Sequence, residues 1–430
     1  MLSIAMRIAY RSPFYYGWVI AGVVGLIALA GVAASPAILG LFFKDMENEF
    51  GWSRSLISGS IFAGTLLIIP AAPLSGRLVD LYGPRPIVVV GGTVVALCLF
   101  GLSYTDSVFS FYALLSVAFG VNAGITRVAI NAVVAQWFVR YRGRAMAVMS
   151  MFLGLGFVTM PILAALVIDE WGWRAGWRAL ALAAFAASVP ASQLLLRRQP
   201  ADVGQAVDGR STAPSVATAG TWDHDDDEVQ WTSKEAVRTA AFWVVLGSLS
   251  TIALAILGLA VHVIPHLVDQ GIALKFAALT FSFAGVTMIP SSLMWGWFLD
   301  RFAARTAFLA ASVLVILFTL LTMMARSEWM VVPLGVTMGL GFGGFGMVQR
   351  IIYANYFGRQ SAGTILGLAV PFIAIAQGVG TLVAGAAYDL FDGYTQVFLL
   401  FTGLVVLSMG LMYIVRKPMK PAIVQPSVAG

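Results

Sequence analysis

Two arginines stand where a charge is costly. Arg127 lies in the stretch GVNAGITRVAINAVVAQWFVRYRGR, residues 120–144, an apolar helix that runs into a basic loop of Arg140, Arg142 and Arg144. Trp137 is the expected marker of the water interface. Ten residues at about 1.5 Å each place Arg127 roughly 15 Å inside it, near the middle of a hydrocarbon core about 30 Å thick. Arg350 lies in a second apolar stretch, about 9 Å from its interface by the same rise. A charge at such depth is rare and usually marks a substrate or ion pathway. Guanidinium groups bind carboxylates through paired hydrogen bonds, so the chemistry implied is recognition of an anion. Asn122 and Asn131 beside Arg127, Gln349 and Tyr353 beside Arg350, and Gln377 in a later stretch could complete a polar cavity. The competing reading of Arg127 is a structural arginine bonded to carbonyls of neighbouring helices.

Every acidic residue falls in a loop or near a helix end, so no Asp or Glu is expected as a buried proton carrier. His262 is the remaining group whose charge can change near neutral pH. His262, His266 and Asp269 have near-helical spacing, but Pro265 between them is expected to interrupt the helix, and no metal is assigned. Paired intramembrane carboxylates, HExxH and a nucleophile–base set are all missing from the sequence, which argues against an enzyme. Nothing resembles a phosphate-binding Walker loop, and no cofactor is expected.

The elements that must position these residues are membrane helices. The 430 residues are 60% hydrophobic and 11% charged, with a mean hydropathy of +0.89, against about 25% charged in soluble domains. Apolar runs long enough to span number twelve, near 17–42, 54–75, 86–105, 108–137, 145–168, 173–196, 240–264, 276–299, 306–325, 329–357, 364–388 and 394–415. Of the 26 basic residues, eighteen lie in the two tails and alternate loops and six in the opposite loops. The positive-inside rule then predicts that both termini are cytoplasmic in a multi-pass protein of the cell's inner membrane. The net charge of +6 therefore reflects topology and does not point to nucleic acid. The single cysteine, Cys98, reads as helix filler.

A polar segment, 197–239, separates six spans from six. It includes the acidic run Asp223, Asp225, Asp226, Asp227 and Glu228 and reads as a solvated linker. The expected division is 1–196, a linker at 197–239, 240–416 and a tail at 417–430. The two halves repeat. Pro70, Gly76, Asp80 and Arg85 match Pro290, Gly296, Asp300 and Arg305 at an offset of 220, and Trp137, Phe138 and Arg140 match Tyr356, Phe357 and Arg359 at 219. Arg127 maps to Gly346, one turn from Arg350, so the two cations sit on equivalent faces. Duplicated halves in a membrane predict a site at their interface.

The segment GRLVDLYGPRP, Gly76 to Pro86, with its degenerate copy GWFLDRFAART, Gly296 to Thr306, resembles the loop signature of the major facilitator superfamily. That resemblance implies an all-α fold of twelve transmembrane helices in two pseudo-symmetric halves, and a latch on the cytoplasmic side of the outward-open state. Gly76 and Gly83 would allow close approach and a tight turn, and Asp80 would hydrogen-bond Arg85. The copy carries Ala303 at the later glycine position and should grip less tightly. FGWSRSLISGSIFAG (50–64), WFVRYRGRAMAV (137–148), GWRAGWRAL (172–180) and HVIPHLVDQGI (262–272) are similar to the branch of monocarboxylate transporters and oxalate/formate exchangers. It implies a small organic anion, moved with a proton or exchanged for a counter-anion by a monomer in the lipid bilayer. That branch often has an arginine in span eight, or a lysine in span one or eleven. The sequence has neither within the bilayer, which shifts the binding role to Arg127 and Arg350. An exporter of hydrophobic compounds and a non-transporting sensor of the same fold stay open as alternatives.

Overall fold

The computed structural model describes residues 15–209, 231–358 and 362–418. All regular structure among them is helical. The spans, numbered in chain order, are α1 Gly17–Leu39, α2 Arg54–Tyr82, α3 Pro84–Leu102, α4 Val108–Trp137, α5 Arg142–Trp171, α6 Trp173–Leu195, α7 Ala240–Asp269, α8 Leu274–Arg301, α9 Ala304–Met324, α10 Glu328–Phe357, α11 Thr364–Phe391 and α12 Thr395–Ile414. Eleven are long and apolar enough to cross a membrane, and α8 completes the set as a helix bent by 47° at Pro290. That residue supplies no N–H and its ring crowds the preceding turn.

Helix starts follow local chemistry. The hydroxyls of Ser53, Ser107 and Thr239 accept backbone N–H groups of the first turns of α2, α4 and α7. The turn from α2 to α3 rests on Gly83, whose φ of +81° is open to glycine and strained for other residues. At the equivalent turn between α8 and α9, Ala303 has φ −59° and ψ 146°, so the second copy of the signature makes its corner with extended backbone.

Several expected boundaries move. The second, fifth and seventh spans run past the expected ends, and Pro265 lies inside an unbroken α7. The expectation that it interrupts the helix is corrected, for a packing reason. Proline leaves the carbonyl four residues back without its helical donor, here Val261, and the α1 extension crosses close at Gly40, where a Cβ would lie 2.6 Å from that oxygen. The first span passes from α-helix through a 3-10 turn at Val32–Ala34 to a short segment starting at Pro36. Trp137 is fully buried, donates its indole N–H to the Arg197 carbonyl at 3.1 Å and packs against Tyr15 and Tyr16. It is a packing residue at a helix end, not an interface marker, because the chain before α1 and after α6 covers it.

The packing repeats as the sequence does. In the first half α1 packs on α5 and α6, α2 on α4, and α3 on α6. In the second α7 packs on α11 and α12, α8 on α10, and α9 on α12. Contacts between the halves pair α2 with α11 and α5 with α8, the exchange that a two-fold relation demands. The linker is described only near its ends. Gln205 accepts the Tyr16 N–H, Asp208 accepts the N–H groups of Val139, Arg140 and Tyr141, and Trp231 donates its N–H to the Phe357 carbonyl. The acidic run from Asp223 to Glu228 and the repeat position Arg359 lie outside the described residues.

Candidate functional site: a two-arginine cavity beneath a sealed end

One end of the bundle, opposite the start of α1 and the end of α12, is closed by side chains that cross between the halves. Arg54, the first residue of α2, is 2% exposed. Its guanidinium donates to both oxygens of Asp269 at the end of α7, at 2.6 and 3.0 Å, to Glu47 on the helix Phe43–Phe50, and to the Tyr394 hydroxyl at 2.8 Å. The Tyr388 ring lies 3.6 Å from it. Asp389 of α11 accepts the backbone N–H groups of Arg54 and Ser55, each at 2.9 Å. A carboxylate of the second half thus caps the positive N-terminus of a helix of the first. A buried arginine is tolerable only when its donors are satisfied, and here acids from both halves do so. Burial pushes the Tyr394 hydroxyl well above its ordinary pKa, against the pull of Arg54, so it is a neutral partner.

His262 lies directly beneath. It is fully buried, with Nε2 3.0 Å from the Ser58 hydroxyl and 3.1 Å from the Thr381 carbonyl, and Nδ1 2.9 Å from the Tyr394 hydroxyl. The Phe43 ring closes its open face at 5.2 Å. His266 points elsewhere, to the Thr322 carbonyl at 3.0 Å. Outside the seal is a cavity of about 210 Å³ that touches Lys44, Asp45, Arg54, Asp169 and Asp269. Among the described residues no group of His, Cys, Asp and Glu could hold a metal.

Arg127 and Arg350 are on the other side of the seal. A π-helical turn at Val121–Thr126 immediately precedes Arg127. Such wide turns rotate the helix that follows and are frequent at functional sites. The Arg127 side chain is exposed although protein surrounds it, and it interacts electrostatically with Arg350 of the opposite half. Exposure inside a shell of protein describes a residue lining an internal cavity. Neither arginine has a hydrogen bond or ion pair among the described residues. No carbonyl therefore accepts from Arg127, as the structural reading of it would require.

The other expected site residues fall in different places. Asn131 is exposed, and Gln349 and Gln377 are half-buried. Asn122 is buried and donates to the Gly31 carbonyl at 2.8 Å, joining α4 to α1. Tyr353 is 1% exposed, packs on Phe242 of α7, and its hydroxyl has no hydrogen-bond partner among the described residues. His262 belongs to the seal and is not grouped with the arginines.

At the end bearing the termini the expected Asp80–Arg85 bond is not formed. Asp80 is exposed; Arg85 donates to the Gln193 carbonyl at the end of α6, and Arg198 donates to the Asp80 backbone oxygen at 3.0 Å. The turn at Gly83 aims Arg85 at a helix C-terminus, where carbonyls gather partial negative charge. In the second copy Asp300 is exposed and the Arg305 guanidinium lies over the Tyr413 ring at 4.7 Å. A Cβ on Gly76 or Gly296 would meet nothing within 4 Å, so no neighbour makes the close approach expected there. The apolar cluster around Tyr16, Val79, Val88, Trp137 and Phe138 at this end is built from the first half and the start of the linker, whereas the larger cluster that includes the sealed end draws on both halves and runs along the second half to Phe357 and Val415.

Arg54 is the residue that sequence reasoning missed, counted there among loop cations. The signals present were an arginine directly after an N-capping serine, inside the FGWSRS segment, and acids at the ends of α7 and α11.

Comparison with known proteins agrees with this architecture. The family model described as Major Facilitator Superfamily matches residues 25–369 and 263–429. Monocarboxylate transporter 12 of Rattus norvegicus is 22% identical over 405 residues, covering 90% of this chain and 82% of that protein. Monocarboxylate transporter 4 of the same species is 22% identical over 427 residues, covering 95% and 86%. Among solved structures, a mutant of the nucleoside transporter NupG superposes with a TM-score of 0.71 at 14% identity, covering 93% of this chain and 99% of that one. A bacterial homologue of the human lysosomal transporter Spinster, inward-facing and unoccupied, superposes with a TM-score of 0.69 at 14% identity, covering 94% and 97%.

Proposed function

Because the chain belongs to the major facilitator superfamily and is a multi-pass membrane transporter, we propose that its substrate is a small organic anion, a mono- or dicarboxylate. The observation that carries this reading is the pair Arg127 and Arg350, one from each half, mutually repelling and without an acidic partner among the described residues. A carboxylate between them would exchange repulsion for charge-assisted hydrogen bonds. The names of the relatives support the same substrate class. Gln349 and Gln377, half-buried on the second half, and exposed Asn131 on the first are the proposed additional contacts.

Access alternates in this reading. With the termini in the cytoplasm and the chain in the inner membrane, an orientation that the positive-inside pattern supports, the structure would face inward, with the outer end sealed around Arg54. Substrate binding neutralises the cavity and lowers the cost of closing it. The latch at Asp80 and Arg85 would then engage when the cytoplasmic ends meet. Both proton symport and anion exchange fit this cycle.

Uptake of labelled lactate, pyruvate, formate and oxalate into proteoliposomes containing the purified chain tests the reading. Saturable flux of at least one, lost in Arg127→Ala, is the expected result. Efflux of hydrophobic compounds with no carboxylate flux would overturn it.

A further inference from the structure

The hydrogen bonds around His262 admit one direction only. Arg54 can only donate, so the Tyr394 oxygen accepts from it at 2.8 Å and the Tyr394 O–H is left to donate to His262 Nδ1 at 2.9 Å. The Ser58 hydroxyl spends its hydrogen on the Arg54 carbonyl at 2.7 Å. Ser58 Oγ and the Thr381 carbonyl can then only accept, and both face His262 Nε2. The imidazole is therefore neutral, with its proton on Nε2. A second proton would enter at Nδ1, against a hydroxyl already donating there and beside the Arg54 guanidinium.

The halves divide this cluster unequally. Arg54, Ser58, Glu47 and the Phe43 ring belong to the first half. His262, Asp269, Asp389, Thr381, Tyr388 and Tyr394 belong to the second. His266, also on α7, is turned to Thr322, and Asp392 lies near Tyr388 beyond the end of α11. Parting the sealed end would remove the one cation and the Ser58 acceptor from the histidine. It would leave Asp269 and Asp389, the second-half acids bonded to Arg54, without that residue, and admit water from the outer cavity of about 210 Å³. Each change favours the imidazolium: released carboxylates attract it, the repelling guanidinium is gone, and hydration returns.

We propose that His262 is a proton-binding site coupled to opening of the sealed end, neutral while the halves meet there and protonated when they part. This rests on the alternating-access part of the proposed function and not on the identity of the substrate. Acid then favours the open outer end, and a proton taken up there must leave before the seal can re-form, so His262 gates the outer end by pH and does not by itself carry a proton inward.

The test uses the full chain in nanodiscs, with Cys98→Ser and spin labels at Phe109→Cys and Trp329→Cys, two exposed positions at the outer end, one on each half. Pulsed dipolar distances are recorded from about pH 8 to about pH 5. For one linked proton the open-to-sealed ratio is expected to rise by at most about tenfold per pH unit. His262→Gln should flatten that rise. Tyr394→Phe, which keeps the histidine but removes the hydroxyl facing Nδ1 and one bond of Arg54, should open the end at higher pH and still titrate, so that loss of the pH dependence itself is specific to removal of the imidazole. A His262→Gln protein that titrates like the parent, or a parent whose distances ignore pH while carboxylate flux is intact, overturns the proposal. A pH-dependent opening without carboxylate flux supports it and removes only the substrate assignment.

Discussion

The two ends of the bundle handle arginine in opposite ways. At the sealed end Arg54 is buried and every direction of its guanidinium is answered by Glu47, Asp269, Tyr394 or the Tyr388 ring. On the other side of the seal Arg127 and Arg350 are exposed, interact electrostatically across the halves, and none of their donors has a partner among the described residues. The first arrangement stores its ligands within the protein. The second leaves them to be supplied from outside. A cation whose partners sit on both halves is a lock, and in the proposed function a pair of cations without partners among the described residues is the receptor.

The strongest way to break this contrast is to remove the lock. Arg54→Ala leaves Asp269 and Glu47 facing each other without a cation, and breaking a buried pair in this manner costs about 3–5 kcal/mol, toward the lower end because both acids are partly exposed. Thermal unfolding in detergent should show a large fall. An unchanged midpoint would mean the network contributes nothing. Next comes the receptor. Arg127→Ala should lower carboxylate uptake by roughly 10–100-fold, the equivalent of about 1.5–3 kcal/mol for hydrogen bonds to a charged group, with little change in unfolding midpoint because no contact in this state is lost. Arg127→Lys should recover only part of the flux, since an ammonium lacks the planar fork.

Gly76→Ala sharpens the contrast at smaller scale. Nothing lies within 4 Å of the added Cβ, so stability should shift by less than about 0.5 kcal/mol, while uptake falls if closing the open end brings another backbone to this glycine. Equal stability with undiminished uptake would remove it from the latch. The smallest effect belongs to Glu49 at the sealed end. Hydrogen bonds from Trp173 and Arg174 hold its carboxyl below the usual range. With the folded pKa depressed, its contribution is present above the unfolded carboxylate value and lost as pH falls through the folded one. Acid unfolding of Arg174→Ala should set in at slightly higher pH than that of the parent.

Much of the fold was legible because membrane spans announce themselves. Length, apolarity and the constant offset between Asp80 and Asp300 predict twelve helices and a duplication, and both are found. That Arg127 lies well inside a span was legible for the same reason, since α4 runs from Val108 to Trp137. Arg54 was not. An arginine at the first residue of a span reads as a loop cation, and its burial is arranged by acids 215 and 335 residues away, a distance over which no local pattern operates. Pro265 misled because proline breaks helices in water, whereas in α7 the freed Val261 carbonyl is covered by chain crossing at Gly40. The Asp80–Arg85 bond failed for a third reason. Spacing along the chain brought the two groups near each other, but Gly83 turned Arg85 toward α6.

The contact between α5 and α8 has a mechanical meaning. Gly154 faces Gly285, and a Cβ on Gly154 would stand 2.8 Å from the Gly285 carbonyl, so the two backbones touch with nothing between them. Gly154 lies twelve residues after Arg142 and seventeen before Trp171, giving lever arms of roughly 18 Å and 26 Å at 1.5 Å per residue. A tilt of about 10° about that point would swing the short arm ~3 Å and the long arm ~4.5 Å at this rise. The longer arm ends near the Arg54 lock, so a modest closure around the two arginines is geared up into a wider displacement where the lock has to come apart.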